Sequence, residues 1–205
     1  MKVELEKTFP LPASAEIAWP FLQDIEAVAG CMPGAKITEK MPGGGYKGTI
    51  TVRVGPATMS FRGEVEVRDV DTAAHSLRLL GRGTDSTGSS GAAMDLAARI
   101  EAVSAVASNL VGKSEVSMSG KAAAFGGRMM NSVADQVLKQ FADNFAAQVA
   151  ALAAQRDSTP RGAGASTVAT PAVPAPARAR ELNGIALLWA AFKDWLRGLF
   201  SGNAA

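Results

Sequence analysis

Two residue types that supply much of the chemistry of active sites are nearly absent: the chain has one cysteine and one histidine in 205 residues. A lone cysteine, Cys31, excludes an intrachain disulfide and agrees with a reducing cytoplasm. No His/Cys cluster exists to hold a metal. His75 closes a stretch from Asp71 that reads as a turn, so it is expected at the surface and not as a general base. Strong charge of one sign is missing too. The net charge is +2, without the basic face of a nucleic-acid-binding domain. The start, Met1-Lys2-Val3-Glu4-Leu5-Glu6-Lys7, has no continuous apolar segment. It reads as a strand and not as a signal peptide. Gly81-Arg82-Gly83-Thr84-Asp85-Ser86-Thr87-Gly88 has the glycines of a phosphate loop but lacks its lysine and following helix. It is read as a hairpin loop, and Gly43-Gly44-Gly45 as a hairpin turn. The expectation is a protein with no catalytic residues, no metal and no nucleic-acid partner.

What is present begins with the C-terminal end. Ile185, Leu188, Trp189, Phe192, Trp195, Leu196 and Leu199 follow the spacing of one helix face, with Phe200 beside them. A membrane-crossing helix needs about 20 apolar residues. Ile185 to Phe200 would cover only about 24 Å and includes Lys193, Asp194 and Arg197. An amphipathic helix over 182–201, lying in the membrane interface, fits better than a span. A groove on a partner protein, or packing back onto the domain, are the other readings. Residues 156–205 carry six basic and three acidic side chains, a net of +3, which leaves the rest at −1. A basic tail suits an anionic membrane surface. Residues 156–181 hold Pro160, Pro171, Pro174 and Pro176 among Ala, Gly, Ser and Thr. They cannot bury enough apolar surface to offset ordering entropy, so a disordered linker with a reach of about 28 Å is expected.

Residues 1–155 read as one domain. Val3 to Phe9 is a strand. Ser14 and Glu16 open a helix with Ile17, Trp19, Phe21 and Leu22 on its apolar side. Pro20 is expected to kink it or end it early. Asp24 starts a second short helix that Gly30, Pro33 and Gly34 stop. Period-two stretches follow at Tyr46 to Val54, Met59 to Val67, Ser76 to Leu80, Met94 to Glu101 and Val111 to Ser119. They describe an antiparallel sheet with one polar face. After Gly126-Gly127, apolar residues from Met130 to Leu152 keep helical period for about seven turns. The fold expected is α+β: a curved antiparallel sheet around a long C-terminal helix, with a concave space between them. Met32, Met59, Met94, Met118, Met129 and Met130 are expected at or near inward positions, where Met suits irregular ligands and ordinary cores alike. Cys31 is read as a small buried filler.

Ile17-Ala18-Trp19-Pro20-Phe21-Leu22-Gln23-Asp24-Ile25-Glu26, leading into Gly30-Cys31-Met32-Pro33-Gly34-Ala35, resembles the CoxG family of carbon monoxide dehydrogenase, of the START/Bet v 1-like helix-grip superfamily. Ser119-Gly120-Lys121-Ala122, Phe125-Gly126-Gly127-Arg128-Met129-Met130 and Gln140-Phe141-Ala142-Asp143-Asn144-Phe145 are similar to its last strand and long helix. The resemblance covers roughly residues 1–155. It implies a non-catalytic accessory of molybdenum carbon monoxide dehydrogenase, or of a related molybdenum hydroxylase, at the cytoplasmic face of the plasma membrane as a peripheral protein. The superfamily implies a hydrophobic cavity. Together they imply a bound respiratory quinone, menaquinone or another isoprenoid quinone. The expected cavity residues are Trp19, Leu22, Met32, Met59, Phe61, Met94, Leu96, Met118, Met130, Val133, Val137 and Phe141. Arg128 would either contact a quinone carbonyl or face solvent. The alternatives are a recruitment scaffold without ligand and an enzyme acting on a hydrophobic small molecule.

Overall fold

The computed structural model describes residues 1–158. The expected linker and tail helix, with the stripe from Ile185 to Phe200, lie outside the described residues. The element order is β1 (Lys2–Leu11), α1 (Ala15–Gln23), α2 (Ile25–Cys31), β2 (Ala35–Lys40), β3 (Tyr46–Val54), β4 (Ala57–Asp71), β5 (Ser76–Asp85), β6 (Ser90–Ser104), β7 (Ala107–Gly120), a 3-10 turn (Lys121–Phe125) and α3 (Gly127–Ser158). The seven strands form one antiparallel sheet in the order β1-β7-β6-β5-β4-β3-β2. Strands β2 to β7 follow one another as neighbours, while β1 closes onto β7 with Lys2 opposite Ser117. The curved sheet and the long helix are the expected architecture.

Alternation fixes which residues face inward. On β6, Ala98 and Ile100 are buried while Ala97 and Arg99 are exposed. Their partners Leu77 on β5 and Leu110 on β7 are buried too. The charged pairs of the central strands, such as Arg78 with Asp95, lie at the opposite parity on the outer face. There the Arg78 guanidinium holds the Asp95 carboxyl below its ordinary range.

Three sequence expectations are corrected. Pro20 neither ends nor divides α1, which runs three residues past it. Lacking an N–H, Pro20 leaves the Glu16 carbonyl without its helical donor. Arg156 on α3 donates its Nη1–H to that oxygen at 3.4 Å. The Gly81–Asp85 segment is strand and not loop. The turn is Ser86 to Ser89, gathered by Asp85, whose carboxylate accepts from Thr87 Oγ1 at 2.6 Å and from Ser90 N at 2.8 Å. The turn expected from Asp71 to His75 is found there, with Asp71 Oδ1 accepting from the Ala73 and Ala74 N–H groups, both at 2.9 Å. Met129 is exposed, one step round α3 from the buried Met130. The strand β2 had no counterpart in the sequence reading.

A transverse row of small residues crosses the sheet. Gly48 on β3 lies opposite Gly63 on β4, Gly63 opposite Gly83 on β5, and Gly83 opposite Ala92 on β6. A Cβ at Gly63 would fall 2.1 Å from the Arg82 carbonyl oxygen, and one at Gly48 would fall 2.8 Å from that of Lys36. Side chains at Gly48 and Gly63 would push the strands apart, so the backbones approach closely along the row.

Candidate apolar ligand site on the concave face

Two packed clusters hold the ends of the concave face. The larger joins Trp19, Leu22 and Cys31 to Leu77, Ala98, Ile100 and Leu110 of the sheet and to Phe145 and Val149 of α3. Phe145 is fully buried, with its ring centre 4.9 Å from that of Phe21, edge-on, and 5.8 Å from that of Phe141. The smaller joins Val3 of β1, Val54 of β3 and Met130 of α3. The helix thus rests on the sheet at both ends and leans on β1 and β3, which flank the strands between.

Between the clusters the inward residues are apolar yet only half-buried. Phe61, Val65, Leu79, Met94, Leu96 and Val116 on the sheet, and Val133, Val137 and Phe141 on α3, all keep partial contact with solvent. A residue on an inward face that packed tightly on the helix would be buried. The apolar lining therefore keeps contact with water, above the glycine row that contributes no side chains.

The expected cavity residues divide accordingly. Trp19 and Leu22 are buried in the larger cluster, with Leu96 and Phe141 packed on its margin. Met130 belongs to the smaller, with Met59, Met118 and Val133 at its edge. Phe61, Met94 and Val137 lie half-buried outside both clusters. Met32 caps the C-terminal end of α2, also half-buried and outside both. Arg128 is exposed on the first turn of α3. Leu5, Val65, Leu79 and Val116 were missed, although parity with Val3, Phe61, Leu77 and Met118 marks their side.

Charge lies at the rim. Lys7 shares the parity of Leu5 and Phe9, and its Nζ meets Asp135 Oδ1 of α3 at 2.9 Å, with both side chains partly exposed. Cys31 is buried, its Sγ 3.6 Å from the Ala27 carbonyl oxygen, and burial pushes its thiol pKa up. A thiol so placed is a poor nucleophile. Its own carbonyl accepts from Asn144 Nδ2 at 2.9 Å, which ties α2 to α3. Among the described residues, the buried polar side chains are Ser14, Ser90 and Ser108. Ser108 Oγ donates to the Ala13 carbonyl at 2.8 Å, and Ser90 Oγ accepts from Ala122 N at 3.0 Å. The arrangement can shelter an apolar molecule, and it buries no charged group among the described residues.

Comparison with known proteins agrees on family and fold. The family model for CoxG, a subunit of carbon monoxide dehydrogenase, matches residues 8–150. A conserved protein from Geobacillus kaustophilus superposes with a TM-score of 0.66 at 20% identity, over 73% of this chain and 96% of that one. The Zhui aromatase/cyclase from Streptomyces sp. R1128 gives 0.55 at 18% identity, over 80% and 100%. A START superfamily protein from Mycobacterium smegmatis gives 0.50 at 18% identity, over 73% and 98%. At such identities the likeness shows the START-like fold alone, and one fold hosts many functions. No individually curated protein matches the chain.

Proposed function

We propose, since the chain belongs to the CoxG family of carbon monoxide dehydrogenase, that its START-like domain carries an apolar ligand for a dehydrogenase working at the membrane. The ligand we propose is a respiratory quinone, menaquinone or a related isoprenoid quinone. The partner is molybdenum carbon monoxide dehydrogenase or a related molybdenum hydroxylase. The protein itself acts as an accessory and not as an enzyme.

One observation supports this reading most: the apolar inward residues between the two clusters remain half-buried. Apolar surface left in contact with water costs about 25 cal/mol per Å². An isoprenoid ligand carries the same cost in water, and both are relieved when it lies on this face. No described helix is long and apolar enough to cross a membrane. The amphipathic pattern from Ile185 to Phe200 would keep the carrier on the cytoplasmic membrane surface, where its ligand dissolves.

Solvent extraction of the purified full-length protein, followed by mass spectrometry, tests the ligand. An isoprenoid quinone is expected from material made in a quinone-producing host. Met94→Trp should lower its yield by about tenfold or more, because the larger ring takes up room on the half-buried inward face where the ligand would lie, and an unchanged Tm shows that the fold is kept. A wild-type protein that carries no quinone would favour the ligand-free scaffold and sink the carrier reading.

The anchor has its own test. A chain ending at Ser158 keeps Arg156 on the Glu16 carbonyl and should fold normally. In co-sedimentation with anionic phospholipid vesicles it is expected to stay in the supernatant, while the full chain pellets. Equal pelleting of the two would remove the anchoring role of the tail.

A further inference from the structure

The concave face is apolar, but one hydrogen-bond donor in the larger cluster beside it is unmatched. Trp19 is 4% exposed, and its Nε1–H has no acceptor. It is the one buried side-chain nitrogen or oxygen without a partner among the described residues. Leaving such a donor unpaired in an apolar cluster is costly, and most buried donors are paired. Leu79, Leu96 and Phe141, half-buried on the concave face, pack on the cluster that holds Trp19. Trp19 thus sits in the same packed cluster that these residues of the concave face border.

We propose that the Trp19 indole N–H is the polar anchor of the ligand site, and that it selects a neutral carbonyl oxygen. This deepens the carrier reading and rests on it. The selectivity follows from the donor inventory. An indole N–H donates and never accepts, so the ligand must present an acceptor. A carboxylate is an acceptor, but no cation is buried among the described residues to balance it. A hydroxyl head would bring a proton that needs an acceptor of its own, and the inward residues between the clusters offer apolar side chains only. The His75 ring lies 5.6 Å from the indole, tilted, and is itself half-exposed to water. A ketone or quinone carbonyl asks for one donor and offers no proton, so it fits with no group left over.

The test pairs two ligands of one shape on the full-length protein. A dimethylnaphthoquinone has carbonyl oxygens, and dimethylnaphthalene is the same skeleton without them. Binding is measured by titration calorimetry in the wild type and in Trp19→Phe, which keeps an aromatic ring and loses the N–H. Weakening of the naphthoquinone by roughly 5- to 10-fold is expected, from the usual strength of one hydrogen bond. Binding of dimethylnaphthalene should change by less than about twofold. In a Trp189→Phe/Trp195→Phe chain, where Trp19 is the remaining tryptophan, the indole hydrogen-bond band in ultraviolet resonance Raman should shift with the naphthoquinone and not with the naphthalene. Equal weakening of both ligands, or none for the naphthoquinone, overturns the anchor while leaving the carrier reading intact. A wild type that binds neither ligand overturns the carrier reading itself.

Discussion

Phe145→Ala is expected to lower the stability of the domain by about 4 kcal/mol, a fall in Tm of roughly 8–16 °C for a domain of this size. The side chain is fully buried and is among the largest that are. Its ring sits between Phe21 of α1 and Phe141 of the preceding helical turn. Removing it opens a cavity and breaks two aromatic contacts at once. Neither helix can collapse easily into the gap, because Asn144 next door is fixed to the Cys31 carbonyl. Phe145→Leu keeps most of the volume and should cost less than half as much. The two variants are compared by urea denaturation with circular dichroism. A loss for Phe145→Ala of under about 1 kcal/mol would mean that α1 and α3 do not share one cooperative core.

Gly63→Ala is the second large effect, and it works on the backbone. One added methyl group would sit 2.1 Å from the Arg82 carbonyl oxygen, with the Gly83 Cα at 2.8 Å. Both obstacles are main-chain atoms of the neighbouring strand, so no rotamer change relieves them. The strands must separate or the pairing must shift, at about 3 kcal/mol or more, which lowers Tm by roughly 6–12 °C. Gly81→Ala is the control. It lies on the same face of the sheet, on the neighbouring strand, but its Cβ would meet the flexible end of Met94 at 3.4 Å. That side chain can yield, so a cost below about 1 kcal/mol is expected. Comparable Tm values for the two variants would show that close strand approach does not decide the cost.

Much of the fold was legible because two periods dominate the chain. Ile50, Val52 and Val54 alternate cleanly, and the strand falls at Tyr46–Val54 as read. The α3 stripe holds from Met130 to Val149, both buried. The strand β2 was not legible because Ile37 is its one large apolar residue and it lies at the sheet edge, where one neighbour suffices. Pro20 misled because its remedy lies on Arg156, far along the chain. Gly81 and Gly83 read as loop because glycine serves tight turns and close strand contacts equally, and a single chain does not tell them apart.

The candidate site was half legible for a related reason. Parity tells which side of a strand a residue takes but not how deep it sits. Met59 and Met94 share a face, yet one borders a packed cluster and the other stands outside both. The Trp19 N–H could be identified as unmatched only when every acceptor around it was in place.

The pairing of β1 with β7 governs how the domain comes into being. Strands β2 to β7 are successive hairpins, each able to form from neighbouring residues. The first strand of the chain must instead wait for the last, with Lys2 matched to Ser117 and Leu11 to Ser108. Closing so long a loop carries its entropy cost before the contacts repay it. Refolding is therefore on the order of milliseconds to seconds, and its slow step is the return of β1. Until that moment Phe9 and Leu11 have no sheet to lie on, and the growing chain displays them to whatever it meets first.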